Sequence, residues 1–82
     1  MVYKIMVIKI DQRSKYAIEA QKILTEFGCY IQVRLGLHEA TNEVCSTDGL
    51  IILEVRGDSS TLTKMLDKLN ALEHVTAKIM EI

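Results

Sequence analysis

The amino-acid sequence predicts an α+β domain whose elements follow the order β-α-β-β-α-β. Four segments have the alternating or continuous apolar character of strands, and two have apolar residues at helical spacings of three and four. Because crossover connections are right-handed, we expect both helices on one face of a four-stranded antiparallel sheet. This arrangement is the split βαβ, or ferredoxin-like, sandwich.

The chain, residues 1–82, has the length of one such domain. Its 10 basic and 11 acidic residues nearly cancel without forming a basic face, which argues against direct nucleic-acid binding. No apolar run reaches the roughly 20 residues that cross a bilayer, and the first residues lack a cleavable signal. We therefore expect a cytoplasmic protein that does not bind a membrane, with Cys29 and Cys45 as reduced thiols.

The first strand and the first helix occupy residues 2–27. Residues 2–10 are rich in β-branched side chains and apolar on both faces, as in a central strand. Residues 11–13 form a turn, and residues 14–27 form a helix. Gly28 is predicted to end this helix in the left-handed conformation, since it lacks a Cβ. The apolar stripe of the helix comprises Tyr16, Ala20, Ile23, Leu24 and Phe27.

The second strand occupies residues 29–37 and has one apolar row. Simple alternation places that row against the core and a more polar row on the opposite face, as in an edge strand. The polar loop at residues 39–48 is long enough to be either functional or simply mobile. The apolar row is Ile31, Val33, Leu35 and Leu37, and the opposite row is Tyr30, Gln32, Arg34, Gly36 and His38.

The third strand, at residues 50–56, is apolar on both faces except for Glu54 and is therefore predicted to be central. Asp58 or Ser59 caps the second helix, and residues 75–82 form the last strand. The stripe of the second helix is Leu62, Met65, Leu66 and Leu69.

Two helices can cover only one face of this sheet. The uncovered face would carry apolar residues of both central strands, together with Met80 and Ile82 of the last strand. A contiguous apolar patch of this kind marks an interaction surface. We therefore predict a homo-oligomer, a dimer or a tetramer, packed through the sheet or its edges.

The first helix ends on an acidic-aromatic-Gly sequence at residues 26–28, and the second strand follows with Tyr30, Ile31, Arg34 and Gly36. This stretch resembles the iron-only hydrogenase system regulators, which are ferredoxin-like domains of the ACT-like group. The resemblance covers the chain in length and element order. It implies an ACT-like regulatory domain that acts in a hydrogenase system and senses a small ligand or a metal. The matching residues are Glu26, Phe27, Gly28, Tyr30, Ile31, Arg34 and Gly36.

The same region is similar to the C-terminal metal-sensing domain of the nickel-responsive repressors. Matched position by position, His38 corresponds to one histidine ligand of that family and Cys45 to its cysteine ligand. The two other histidines fall at Gly36 and near Thr25. A square-planar nickel site needs all four donors, so the resemblance implies the fold and argues against that particular site.

Two candidate sites follow. The row of Tyr30, Gln32, Arg34 and Gly36 could bind a carboxylate or a phosphate through the guanidinium fork. The alternative is that Arg34 pairs with a carboxylate across the oligomer interface, for example Glu54. His38 and Cys45 could bind a transition metal with further ligands from a second chain, whereas the alternative is a plain polar loop.

No nucleophile and base form a credible pair in the sequence, so we predict that the protein is not an enzyme. The predicted function is an oligomeric ACT-like regulatory domain with a small-molecule or protein partner. The alternative is a structural protein-interaction module without a small-molecule ligand.

Overall fold

The computed structural model describes residues 1–11, 13–37 and 49–82. The element order confirms the predicted ferredoxin-like arrangement. A short 3-10 turn, Gly28–Tyr30, separates the first helix from the second strand. The elements are β1 (Lys4–Ile10), α1 (Arg13–Glu26), β2 (Ile31–Leu37), β3 (Gly49–Val55), α2 (Ser59–Asn70) and β4 (Val75–Glu81).

The four strands form one antiparallel sheet in the order β2-β3-β1-β4. The central strands are β1 and β3, which are the two whose sequences are apolar on both faces. The prediction of a central pair is therefore confirmed. The edge strands are β2 and β4.

One core lies between the sheet and the two helices. Three of the four positions of β1 that face the helices are buried, and each helix contributes the apolar stripe that its sequence predicts. The buried residues are Met6, Ile8 and Ile10 of β1, Ile51, Leu53 and Val55 of β3, Val75 and Ala77 of β4, Ala20, Leu24 and Phe27 at α1, and Leu62, Met65 and Leu69 of α2. Both helices therefore cover the same face of the sheet.

The end of α1 differs from the predicted left-handed glycine. Positive φ occurs at Gly57 and His74 among the described residues, and not at Gly28. Instead, the Tyr30 N–H donates to the Phe27 carbonyl at 2.9 Å, which tightens the chain into the 3-10 turn. Such a turn uses ordinary right-handed dihedrals, so it does not require glycine.

The predicted alternation of β2 is wrong, because a β-bulge interrupts the strand. Ile31 lies opposite Val55, but Val33 lies opposite Glu54, so two steps along β2 match one step along β3. Residues directly opposite each other in an antiparallel pair share a face. Ile31 therefore faces the helices, whereas Val33 and the residues that alternate with it face the other way.

Candidate functional site

The helices leave one face of the sheet uncovered, and we call it the open face. Its members follow from the register of the strands. For example, Ile52 of β3 lies between Val7 of β1 and Leu35 of β2, so the three residues share this face. The open face comprises Tyr3, Ile5, Val7, Lys9, Val33, Leu35, Leu50, Ile52, Glu54, Thr76, Lys78, Met80 and Ile82.

Large apolar side chains of the open face are exposed to solvent. Val33 is 56% exposed, Leu35 51%, Met80 50% and Ile82 73%. They come from both edge strands, and the half-buried Ile5, Val7 and Ile52 lie between them. An apolar surface that extends across all four strands is typical of a protein interface.

Each end of the open face carries an ion pair. At one end, the Arg56 Nε lies 3.0 Å from Glu54 Oε2. At the other end, the Lys9 Nζ lies 3.7 Å from Asp11 Oδ1. Val7 and Ile52 lie midway between the two pairs, because they are two residues from Lys9 and Glu54 along their strands.

Tyr30, the first predicted ligand-binding residue, has a packing role. Its side chain is half-buried, and its ring centroid lies 6.4 Å from that of Phe27. Its carbonyl accepts the Arg56 N–H at 2.8 Å. A Cβ on Gly57 would lie 3.0 Å from Tyr30 Cδ1, so the ring fills the space that this glycine leaves.

Arg34 and Gly36 lie on the opposite face of the sheet from Val33 and Leu35. Their register partners are the buried Leu53 and Ile51, yet both residues are exposed at the edge of the sheet. Gln32 is exposed within the bulge. The structure thus places Arg34 and Gly36 on the same face of β2, where both are exposed, whereas Tyr30 is half-buried.

The alternative partner of Arg34 does not share its face. Glu54 lies on the open face, where its carboxylate accepts a hydrogen bond from Arg56. Any pairing of Arg34 with Glu54 would therefore have to involve different chains.

The predicted metal ligands His38 and Cys45 lie outside the described residues. Within residues 1–11, 13–37 and 49–82, no group of three or more His, Cys, Asp or Glu side chains could hold a metal ion. The other histidine, His74, stacks on Tyr16 with ring centroids 4.7 Å apart. Cys29 is exposed in the 3-10 turn.

The sequence did not indicate the role of Asn70, the last residue of α2. Its Nδ2 donates to the Ala77 carbonyl at 3.0 Å, and its Oδ1 accepts the Ala77 N–H at 2.7 Å. The side chain therefore pairs with the edge strand β4 as a neighbouring strand would. A terminal helical asparagine is common enough that nothing in the sequence marked it.

A groove of about 170 Å³ lies between α2 and the end of β4. Its lining includes the apolar side chains of Leu62, Leu66 and Ile79 and the charged residues Lys4 and Glu81. None of the described helices is long and apolar enough to cross a membrane.

Solved structures show which folds this chain is similar to. It is similar to the uncharacterized protein TM1266 from Thermotoga maritima, with a TM-score of 0.82 and 22% identity over 100% of this chain and 99% of that one. It is also similar to CPII, a nitrogen regulatory PII-like protein from Thiomonas intermedia K12 bound to ADP, AMP and bicarbonate. That match has a TM-score of 0.67 and 14% identity, and covers 100% of this chain and 91% of CPII.

A third similar structure is the ACT domain from the GTP pyrophosphokinase of Chlorobium tepidum. Its TM-score is 0.55 at 14% identity, with 100% of this chain and 85% of that domain covered. The chain has the ferredoxin-like fold of ACT-like and PII-like domains. At these identities the likeness concerns the fold alone. Comparison of the sequence with protein-family models and with curated proteins finds no match.

Proposed function

We propose that this chain is a self-associating regulatory domain that senses a small ligand or a metal. The observation that carries the proposal is the open face, whose exposed Val33, Leu35 and Met80 extend a central apolar strip to both edges of the sheet. Covering this face removes apolar surface from water, which is the main favourable term in protein association. The proposed occupant is a second copy of the same chain.

The charges at the ends of the open face are arranged for self-association. Consider two copies stacked with their open faces together. A two-fold axis between the two sheets runs perpendicular to the strands and passes over Val7 and Ile52. This axis places each end of one open face against the opposite end of the other. Glu54 of one copy then lies near Lys9 of the other, with a lateral offset of about one strand spacing, roughly 4.8 Å. The same operation brings Arg56 near Asp11. An interface of this isologous kind needs such self-complementarity.

Lys78 is the one open-face charge near this axis. It lies on the edge strand β4 and is exposed. A lysine at an interface rim can bury its aliphatic stem and carry its ammonium into water. Because Lys78 is the register partner of Val7, the Lys78 side chains of the two copies face each other near this axis, and both ammonium groups must extend into water at the rim.

Sedimentation of two matched variants tests the self-association. Leu35→Glu places a charge on the exposed part of the open face, whereas Ile18→Glu places the same charge on α1, where Ile18 is 63% exposed. We expect Leu35→Glu to lose the association through the open face at concentrations where the native protein and Ile18→Glu keep it. A monomeric native protein, or equal behaviour of the two variants, would contradict the proposal.

The proposed small-ligand site is the edge of β2 at Arg34 and Gly36. A Cβ on Gly36 would meet nothing within 4 Å, so this part of the edge is open to an approaching molecule. Arg34 supplies the donors that suit a carboxylate or a phosphate. The ADP, AMP and bicarbonate bound by the PII-like protein CPII support the choice of anions as ligands for this fold.

A thermal-shift screen tests ligand sensing. A ligand that binds only the folded chain stabilises it by RT ln(1 + [L]/Kd), or about 2.7 kcal/mol at a hundred times its Kd. We expect one of ADP, AMP, bicarbonate or the free amino acids to raise the Tm. The rise should be lost in Arg34→Met and retained in Lys64→Met, which removes an exposed charge from α2.

The metal form of the proposal rests on His38 and Cys45. Equilibration of the untagged protein with Ni²⁺ or Zn²⁺, followed by metal analysis, should give a stoichiometric complex. His38→Ala and Cys45→Ala should each weaken it. If neither anions nor metals bind, the sensing function fails and the alternative, an interaction module without a small-molecule ligand, takes its place.

The regulated process in this proposal is an iron-only hydrogenase system, and the support for it is the resemblance of residues 26–36. We place the protein in the cytoplasm and assign it a binding role rather than catalysis. Hydrogen evolution in cells that make both this chain and an iron-only hydrogenase tests the connection. Deleting the chain should change hydrogenase activity or expression, and Leu35→Glu should not restore it. Unchanged hydrogen evolution would remove this part of the proposal.

A further inference from the structure

The outer edge of β4 has a defined set of backbone donors and acceptors. Tyr3 and Ile82 exchange two hydrogen bonds, with N–H to carbonyl distances of 2.9 and 2.8 Å. In an antiparallel ladder such pairs alternate with pairs whose groups point away. Met80 and Lys78 therefore bond towards β1, while Ala77, Ile79 and Glu81 direct their N–H and carbonyl groups outwards.

The first half of this edge is closed by α2 and the turn after it. The Val75 N–H donates to the Leu72 carbonyl at 3.3 Å. Both outward groups of Ala77 are bonded to the Asn70 side chain. This half of the strand therefore has no free edge to offer.

The second half of the edge is open. The outward groups of Ile79 and Glu81 have no hydrogen-bond partner among the residues that the structure describes. The groove between α2 and β4 runs beside them, with Leu62 and Leu66 on its helix side. Two donors and two acceptors thus line an apolar groove at an unprotected strand edge, which is a surface that readily adds another strand.

We propose that this half of β4 pairs with the same segment of a second copy, antiparallel, with Met80 opposite Met80. In that register Ile79 of each copy lies opposite Glu81 of the other, and all outward groups of both residues are paired. The result is a continuous sheet across two chains. This contact is separate from the stacking of open faces and goes beyond the proposed function.

The closed half of the edge and the charges select this register. A pairing centred on Ile79 would place Glu81 opposite Ala77, whose outward groups Asn70 already occupies. A pairing centred on Glu81 would bring two carboxylates directly opposite each other, which is unfavourable. Centring on Met80 opposes no like charges, and it leaves each Glu81 beside Lys4 of its own chain.

The strand that pairs with this edge is the same segment of a second copy, because a two-fold axis brings the free N–H groups of each copy opposite the free carbonyl groups of the other. The Ile79 side chains, which face the helices, would then cover the apolar groove of the opposite copy. The exposed Met80 side chains would meet on the open face.

A pair of variants at Glu81 tests this contact. Glu81→Pro removes the outward N–H, and proline is tolerated on an edge strand where its nitrogen faces away from the ladder. Glu81→Ala removes the same carboxylate but keeps the N–H. Both are made in the Leu35→Glu background, so that stacking of open faces does not contribute.

We expect Glu81→Ala to dimerise within about threefold of the Leu35→Glu parent and Glu81→Pro to dimerise about tenfold more weakly or worse, since two symmetry-related bonds are lost. Circular dichroism and thermal unfolding establish that Glu81→Pro is folded. Equal dimerisation of the two variants, or no dimer of the parent at millimolar concentration, would overturn the proposal.

Hydrogen exchange of the Leu35→Glu protein gives a second readout that needs no proline. The Ile79 and Glu81 amides should become more protected as the concentration rises, while the Ala77 amide, bonded to Asn70, should be protected throughout. Exchange of Ile79 and Glu81 that does not depend on concentration would refute strand pairing even if another dimer forms. Because the background removes face stacking, this result is independent of the proposed function.

Discussion

Removing the Asn70 side chain should destabilise the fold by an amount that its two hydrogen bonds determine. Asn70→Ala removes the bonds to the N–H and carbonyl of Ala77, at 2.7 and 3.0 Å, both in a partly buried setting. Such bonds contribute about 0.5–1.5 kcal/mol each, so the pair contributes roughly 1–3 kcal/mol. Alanine favours a helix over asparagine by up to about 0.7 kcal/mol, which offsets part of the loss.

The expected net loss is about 0.3–2.3 kcal/mol in the free energy of unfolding. For a domain of this size each kcal/mol lowers the Tm by about 4–8 °C. Urea unfolding measures the free energy, and hydrogen exchange of the Ala77 amide shows whether the loss arises at β4. The matched control is Lys64→Ala, an exposed residue of the same helix.

The stabilising role of the Asn70 side chain would be refuted if Asn70→Ala were as stable as Lys64→Ala, or if the Ala77 amide stayed protected from hydrogen exchange. Either result would mean that water replaces the amide at this edge without loss. A loss well above the expected range would also be informative, because it would mean that the end of α2 detaches from the sheet.

Two further predictions concern the segment between β3 and α2. Gly57→Ala should lower the free energy of unfolding by about 1–3 kcal/mol, because φ at Gly57 is 154° and the added Cβ would lie 3.0 Å from Tyr30 Cδ1. Urea unfolding measures this change, and unchanged stability would contradict the packing of Tyr30 against Gly57. Asp58 is the N-cap residue of α2, and hydrogen bonds from the side chains of Thr61 and Ser60 hold the pKa of its exposed carboxyl below its usual range. Because the pKa of this carboxyl is lower in the folded than in the unfolded chain, the ionised group stabilises the fold above the unfolded pKa of about 3.9, and this stabilisation is lost as the pH falls through the folded pKa. In Asp58→Asn the urea midpoint should therefore fall less steeply as the pH is lowered. An unchanged dependence of the urea midpoint on pH would contradict this role of Asp58.

The core and the sheet order could be predicted because they depend on patterns within each segment. Met6 and Ile8 share a strand with Ile5 and Val7, so both faces of β1 are apolar and the strand must be central. Leu62, Met65 and Leu69 recur at helical spacing and are all buried. These patterns survive small errors in element boundaries.

The facing of β2 could not be predicted because it depends on another strand. Ile31, Val33 and Leu35 form a regular alternation in the sequence, which predicts a common face. The bulge at Gln32 is visible only in the register with β3, where Val55 and Glu54 are consecutive partners. An insertion of one residue sends every later side chain to the opposite face, so a local pattern gave the wrong side.

Some features of the candidate site could likewise be predicted from the sequence, and others could not. The prediction grouped Tyr30 with Arg34 and Gly36 by alternation; in the structure the Tyr30 ring packs beside Phe27, and Arg34 and Gly36 are exposed on β2. The uncovered apolar face was predicted because it follows from the number of helices. The bonds of Asn70 to Ala77 depend on how the turn after α2 returns the chain to the sheet, which no periodicity records.

The open face and the open half of β4 are adjacent surfaces, and Met80 belongs to both. Its side chain lies on the open face, and its neighbours Ile79 and Glu81 carry the free edge groups. A chain with two self-complementary surfaces of different orientation assembles beyond a dimer, because each surface binds a further copy. Leu35→Glu then leaves an edge-paired dimer, and Glu81→Pro leaves a face-stacked dimer. Only the double variant is monomeric, whereas a single shared interface would make each single variant monomeric by itself.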